Sequence, residues 1–362
     1  MKSNRLYFID AVRAFAIIMM LQGHFIDTLL AEEYHNSTHI VYQIWKYFRG
    51  ITAPTFFTIS GLIFTYLLMR SKKKGNSLQR IKKGLYRGFT LILIGYALRA
   101  PIFHWFTGVF PMRFLNVDVL QIIGISLIAI VGVYYVTFKK SLVFAIIMFF
   151  IGVSIFIMEP WYRALQIDHL PVFLSNYLTK SNGSIFTILP WFGYMAIGSF
   201  IASIFYRFLD KERFKPALIM SMSVLGMILI YHSSLLLMNM YWWTDILLFK
   251  QVAYYNYLFT RLGNVLILLS VFYALEQFLQ KSLILKIGQK TLSIYVIHFI
   301  IIYGSLTGFG LHQIIGKTLS PTLAILGAIS FITIVVIIAL YGVKTNAIVY
   351  QKLRTFMSEN KK

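Results

Sequence analysis

Ten stretches of mostly apolar residues, each about 20 long, dominate this sequence. They lie near 8–30, 48–69, 84–105, 118–136, 141–159, 185–206, 216–238, 254–278, 290–308 and 321–343. A run of that length and composition matches the hydrocarbon thickness of a bilayer, where the chain must satisfy every backbone N–H and C=O internally. The runs are continuously apolar and do not alternate, so they predict helices and argue against a strand-based barrel. Composition agrees, because 58% of the 362 residues are hydrophobic and 13% charged, too little polar surface for a soluble chain of this size. The expected fold is all-α: a polytopic integral membrane helix bundle of about ten transmembrane helices. The first run begins at Phe8 and lacks a small-residue cleavage site, so it predicts a retained first helix.

The net charge of +22 follows topology more than any nucleic-acid partner. Lys and Arg gather in every second connector: the N-terminus with Arg5, "RSKKKGNSLQRIKK" around Lys73, Lys139 with Lys140, "YRFLDKERFK", "KSLILKIGQK" and the C-terminal tail. The alternate connectors are poorer in basic residues, which places both termini in the cytoplasm. Residues 1–343 read as a single domain and 344–362 as a cytoplasmic basic tail. The absence of cysteine excludes disulfides, thiolate metal ligands and a cysteine nucleophile.

The first run carries the polar groups that most need explaining. Eleven residues separate Arg13 from His24 in "RAFAIIMMLQGH", so both side chains leave one face of a helix about 16 Å apart along its axis. Asp10 and Asp27 lie three residues outside each end of that stripe. Charged groups in a span each cost roughly 2.5–3.5 kcal/mol on insertion scales, and such groups face a bundle interior or a wet cavity. An Asp10–Arg13 ion pair and an interhelical hydrogen bond from His24 are the purely structural readings.

These residues carry a resemblance. "FIDAVRAFAIIMMLQGH", after Arg5, is similar to the first-helix signature of transmembrane acyltransferases, an arginine, ten residues and a histidine. "ITAPTFFTISGLIF", "VDVLQIIGISL" and "LPWFGYMAIGSFIA" resemble segments of the heparan-α-glucosaminide N-acetyltransferase-like branch, and "IGQKTLSIYVIHF" resembles a late helix of the acyltransferase-3 branch. The resemblance implies an acetyl-CoA-dependent transferase, with acyl-CoA as donor on the cytoplasmic side and an extracytoplasmic glycan amine or hydroxyl as acceptor. It implies no metal. In the heparan branch an asparagine stands at the position of His24, and the proposed catalytic histidine comes eleven residues later. Here that offset lands on His35, so two histidines compete.

The expected catalytic group is therefore His24, oriented by Asp27, with His35 as the rival. Arg13, with Asp10, Arg5 and Lys73, is expected near the anionic end of the cofactor. Arg99, Asp118, Gln121, Arg261 and His298 are expected to line the acceptor site. All but Gln121 also have a structural reading: an interfacial Arg99, a helix-capping Asp118, a paired Arg261, a hydrogen-bonded His298. The expected setting is the lipid bilayer of a bacterial inner membrane, and a homodimer is allowed. The competing function is a transporter or flippase for a glycan or lipid-linked sugar, because intramembrane Arg, Asp and His also mark transport pathways. No inverted repeat supports that alternative.

Overall fold

A computed structural model describes residues 6–35, 38–73, 75–137, 139–167 and 169–359, without the side chains of Lys73 and of residues 343–359. Arg5 lies outside the described residues, and so does the Lys73 side chain. In chain order the helices are α1 (Tyr7–Leu29), α2 (Ile40–Lys73), α3 (Ser77–Arg99), α4 (Ile102–Phe106), α5 (Val119–Val136) and α6 (Ser141–Ile157). There follow α7 (Glu159–Arg163), α8 (Val172–Leu178), α9 (Ile188–Phe208), α10 (Phe214–Tyr231), α11 (Ser233–Thr244) and α12 (Leu247–Tyr254). The last are α13 (Tyr257–Ala274), α14 (Ser282–Gln289), α15 (Thr291–Tyr303), α16 (Leu311–Ile314) and α17 (Pro321–Glu359). The chain is an all-α polytopic membrane protein.

Each apolar run carries a helix. Among the described residues seven helices are long and apolar enough to cross a membrane: α1, α2, α5 with the turn before it, α9, α10, α13 and α17 up to Gly342. The helices α14 and α15 are bent by 69° against each other and make an eighth span if taken as one. Two runs fall short for physical reasons. The helix α3 carries Arg80, Lys82, Lys83 and Arg87 in its first half, and α6 has only 17 residues. The helix α17 continues to Glu359, into the segment read as a tail.

The chain forms two compact units, residues 1–49 with 279–362, and residues 50–278. In the first unit α1 packs against α14, α15 and α17. Gly288 of α14 lies directly against the Asp10 carbonyl, a position that leaves no room for a Cβ. The rings of Phe25 and Phe331 of α17 meet tilted, 5.3 Å apart. Past the end of α1, the Ala31 amide donates to Leu319 O at 3.0 Å and the Leu319 amide to Leu29 O at 2.9 Å, so the outgoing chain is tied to the segment before α17.

In the second unit α2 crosses α9 at two glycines. Gly61 lies against the Met195 carbonyl and Gly198 against the Thr58 carbonyl. Lipid supplies no hydrophobic drive between helices, so close backbone approach and buried hydrogen bonds supply the contact. Thr65 Oγ1 donates to Ser199 Oγ at 2.8 Å in the same crossing. The pairs α3–α5, α6–α9 and α10–α13 complete this unit.

The orientation has a direct test, because the protein has no cysteine of its own. Glu33 and Asn76 are both exposed, Glu33 past the end of α1 and Asn76 between α2 and α3. A membrane-impermeant thiol reagent is expected to label Glu33→Cys in intact cells and Asn76→Cys only after permeabilisation. The opposite pattern places the termini outside.

Candidate active site

The stripe on α1 meets α15 along its length. At one end Arg13 Nη2 donates to Thr291 Oγ1 at 2.6 Å, while Nη1 lies 3.9 Å from Asp10 Oδ1. At the other end His24 Nδ1 lies 2.9 Å from the Tyr303 hydroxyl. Thr291 opens α15 and Tyr303 closes it, so the two helices run side by side in the same direction. Between them His298 brings its ring to 5.3 Å from that of His24. His298 is fully buried, and neither ring nitrogen has a well-formed hydrogen bond among the described residues; the groups beside it are the Ile294 and Tyr295 carbonyls of the preceding turn.

The hydrogen bond with Tyr303 has a chemical consequence. When Nδ1 carries the proton and donates to the hydroxyl, Nε2 is the basic nitrogen. Asp27, one turn beyond His24, forms an ion pair with Arg49 of α2. Arg49 runs along Gly23 and faces the Trp45 ring at 5.6 Å, and Trp45 Nε1 donates to Gln22 Oε1 at 2.6 Å. The last turns of α1 are thereby clamped to the first turns of α2, which holds His24 in place.

His35 follows a short 3₁₀ turn (Glu32–Tyr34) after α1. Its Nδ1 lies 3.6 Å from Glu32 Oε2, its ring stacks on Tyr42 at 5.8 Å, and its Nε2 is buried without a hydrogen bond among the described residues. Glu32 in turn pairs with Lys317. That hydrogen bond and the Lys317 charge hold the Glu32 carboxyl below the usual carboxylate range.

The remaining candidates lie in the second unit. Arg99, Asp118 and Gln121 come together: Arg99 Nη2 sits 2.7 Å from Asp118 Oδ2, Asp118 Oδ1 accepts from the Val119 amide at 2.8 Å, and Gln121 Oε1 accepts from the Asp118 amide at 3.3 Å. This is a capping box at the start of α5 with an ion pair added. Arg261, in the second turn of α13, lies over the Tyr257 ring at 5.0 Å and against Gly50.

Residues 5–243, well over half of the chain, match the family described as heparan-alpha-glucosaminide N-acetyltransferase, catalytic. The chain belongs to that family. It is thus a member of a membrane acetyltransferase-like group, as the first-helix resemblance implied. A search of the curated proteins gives no match. The matched region holds both competing histidines and ends before Arg261, His298 and Tyr303. Sequence reasoning missed Thr291, Tyr303 and Arg49. Thr291 lies inside the quoted "IGQKTLSIYVIHF" segment and Tyr303 four residues beyond it, but a threonine and a tyrosine in an apolar run carry no signal of what they face.

Proposed function

We propose that this protein transfers an acetyl group from acetyl-CoA to an amine or hydroxyl of a sugar, with His24 as general base. Membership of an acetyltransferase family supports the chemistry, and the pairing of His24 with Tyr303 supports the choice of base. In the step, the acceptor's nitrogen or oxygen attacks the thioester carbonyl carbon. His24 Nε2 takes the proton that the acceptor releases. A C–N or C–O bond forms, the C–S bond breaks with its electron pair going to sulfur, and the proton on His24 passes to the thiolate. Acetylated sugar and CoA result. Tyr303 takes the orienting role that Asp27 was expected to have, since the Asp27 carboxylate is engaged by Arg49. Arg13, about 16 Å along the stripe, stands toward the phosphates of a donor whose extended pantetheine arm reaches His24. Arg13 stands toward the cytoplasmic start of α1 and His24 toward its outer end, so the donor enters from the Arg13 side and the acceptor from the other. This family in general uses acetyl-CoA, which fits a site built from one arginine and one histidine on a single helix face.

Purified protein incubated with acetyl-labelled acetyl-CoA and a glucosamine-terminated oligosaccharide is expected to yield labelled sugar. Absence of label on amine and hydroxyl acceptors alike overturns the reading. Arg13→Ala is expected to weaken CoA binding about 10- to 100-fold, the value of charge-assisted hydrogen bonds to phosphate. The measurement is CoA affinity of variant protein that elutes and unfolds like the parent. Unchanged affinity makes Arg13 a packing residue.

A further inference from the structure

Two cations in the second unit lack a carboxylate to answer them. Arg261 has no acidic group within ion-pair distance among the described residues. Lys180, in the loop after α8, is close enough that its pKa is lowered, first by partial desolvation and then by the Arg261 charge, although its side chain reaches the surface. The nearby carboxylate, Glu159 of α7, is already taken: Arg163 lies 3.1 Å away and the Tyr257 hydroxyl donates to it at 3.2 Å.

Unanswered donors lie in the same cluster. The Tyr162 hydroxyl, beside Tyr257 and Glu159, is shielded from solvent with no hydrogen-bond partner among the described residues. The same holds for Trp191 Nε1 at the start of α9, whose ring lies 5.9 Å from that of Tyr194. Shielded donors without acceptors are rare in folded proteins and point to a missing acceptor. Tyr194, one turn on from Trp191, donates to Leu258 O of α13 at 3.1 Å, so the starts of α9 and α13 lie together, on the side that the basic connectors are expected to make extracytoplasmic.

We propose that this cluster is a receptor for a phosphate group, carried by a sugar or by a lipid headgroup. The donor set decides between oxyanions. A planar guanidinium fork, an ammonium, a phenol and an indole exceed what the two oxygens of a carboxylate accept, whereas a phosphate offers three acceptor oxygens and up to two charges. The aromatic rings beside them suit the apolar face of a sugar carrying that phosphate. If the sugar is the acceptor, this rests on the acetyltransferase reading above; the binding site itself does not.

The full-length protein in phosphatidylcholine nanodiscs is titrated with glucosamine 6-phosphate and with glucosamine, following indole fluorescence and calorimetry. The phosphorylated sugar is expected to bind at least about tenfold more tightly, from charge-assisted hydrogen bonds that glucosamine lacks. Arg261→Gln should erase that preference, Arg261→Lys should keep part of it, and the surface variant Lys180→Gln should reduce it even if Arg261→Gln fails to fold. Repeating the titration in discs containing phosphatidylglycerol separates the sources. Loss of sugar-phosphate binding there, deepening with the phosphatidylglycerol content and overcome by more sugar phosphate, assigns the site to a lipid phosphate. Equal binding of the two sugars in both discs, or a preference untouched by Arg261→Gln and Lys180→Gln, overturns the proposal. Phosphate preference without acetyl transfer leaves the site standing and removes the acetyltransferase reading; transfer without phosphate preference does the reverse.

Discussion

Replacing His24 with alanine is expected to lower acetyl transfer about 10²–10⁴-fold, the typical contribution of a general base, while CoA affinity stays near that of the parent. The separation of the two readouts carries the argument. His24 reaches Tyr303 at one end of α15, and Arg13 reaches Thr291 at the other, so removing the base leaves the Arg13 end intact. Tyr303→Phe deletes the hydroxyl that meets Nδ1 and keeps the ring. Loss of one neutral hydrogen bond costs about 0.5–1.5 kcal/mol, a reduction of roughly 2- to 10-fold in turnover. His35→Ala is expected to act mainly on acceptor affinity. Its ring is lodged between Glu32 and Tyr42, and Glu32 also holds Lys317, so the variant loosens the segment after α1 and leaves His24 in place. Turnover and CoA affinity of purified, folded variants decide. If His35→Ala abolishes transfer and His24→Ala does not, the base is His35.

The second large effect concerns stability. Asp118 and Arg99 form an ion pair whose side chains are only 10% and 17% exposed. Removing one partner of such a pair leaves the other charge buried, which costs about 3–5 kcal/mol. Asp118 also caps α5, worth about 1 kcal/mol. Asp118→Ala loses both contributions and is expected to unfold at markedly lower temperature. Asp118→Asn keeps an oxygen for the cap and should recover only the smaller part. Pairing Asp118→Asn with Arg99→Leu removes the stranded cation and should restore more. Thermal unfolding of the three variants, followed by tryptophan fluorescence, measures this ladder. An Asp118→Asn protein as stable as the parent but deficient in acceptor binding makes Asp118 a substrate group instead.

The α1 stripe was readable because helical geometry is local: a spacing of eleven residues fixes a shared face wherever the helix sits. Asp27 was readable as a neighbour of His24 for the same reason, but its charge had two directions to turn. The structure sends it to Arg49 of α2, a residue that the sequence did not single out. Asp118 was legible as a helix start, since a cap is written within one turn, and the structure adds Gln121 as the other half of a capping box. That Arg99 closes on Asp118 required α3 and α5 to pack together.

What the sequence determined by itself is the class of fold and the outline of the site. A bilayer admits few backbone solutions, so apolar runs of span length dictate helices, and their basic connectors dictate an expected orientation. Only the tertiary structure decided the partners. Tyr303 lies 279 residues from His24 and Thr291 lies 278 from Arg13, and α15 reaches the stripe because α14 meets α1 where Gly288 permits backbone contact. Period and hydropathy describe one helix at a time. Which helix lies against which face is set by interdigitation of side chains and small residues over the whole unit, a property of many pairs of segments at once and of no single segment.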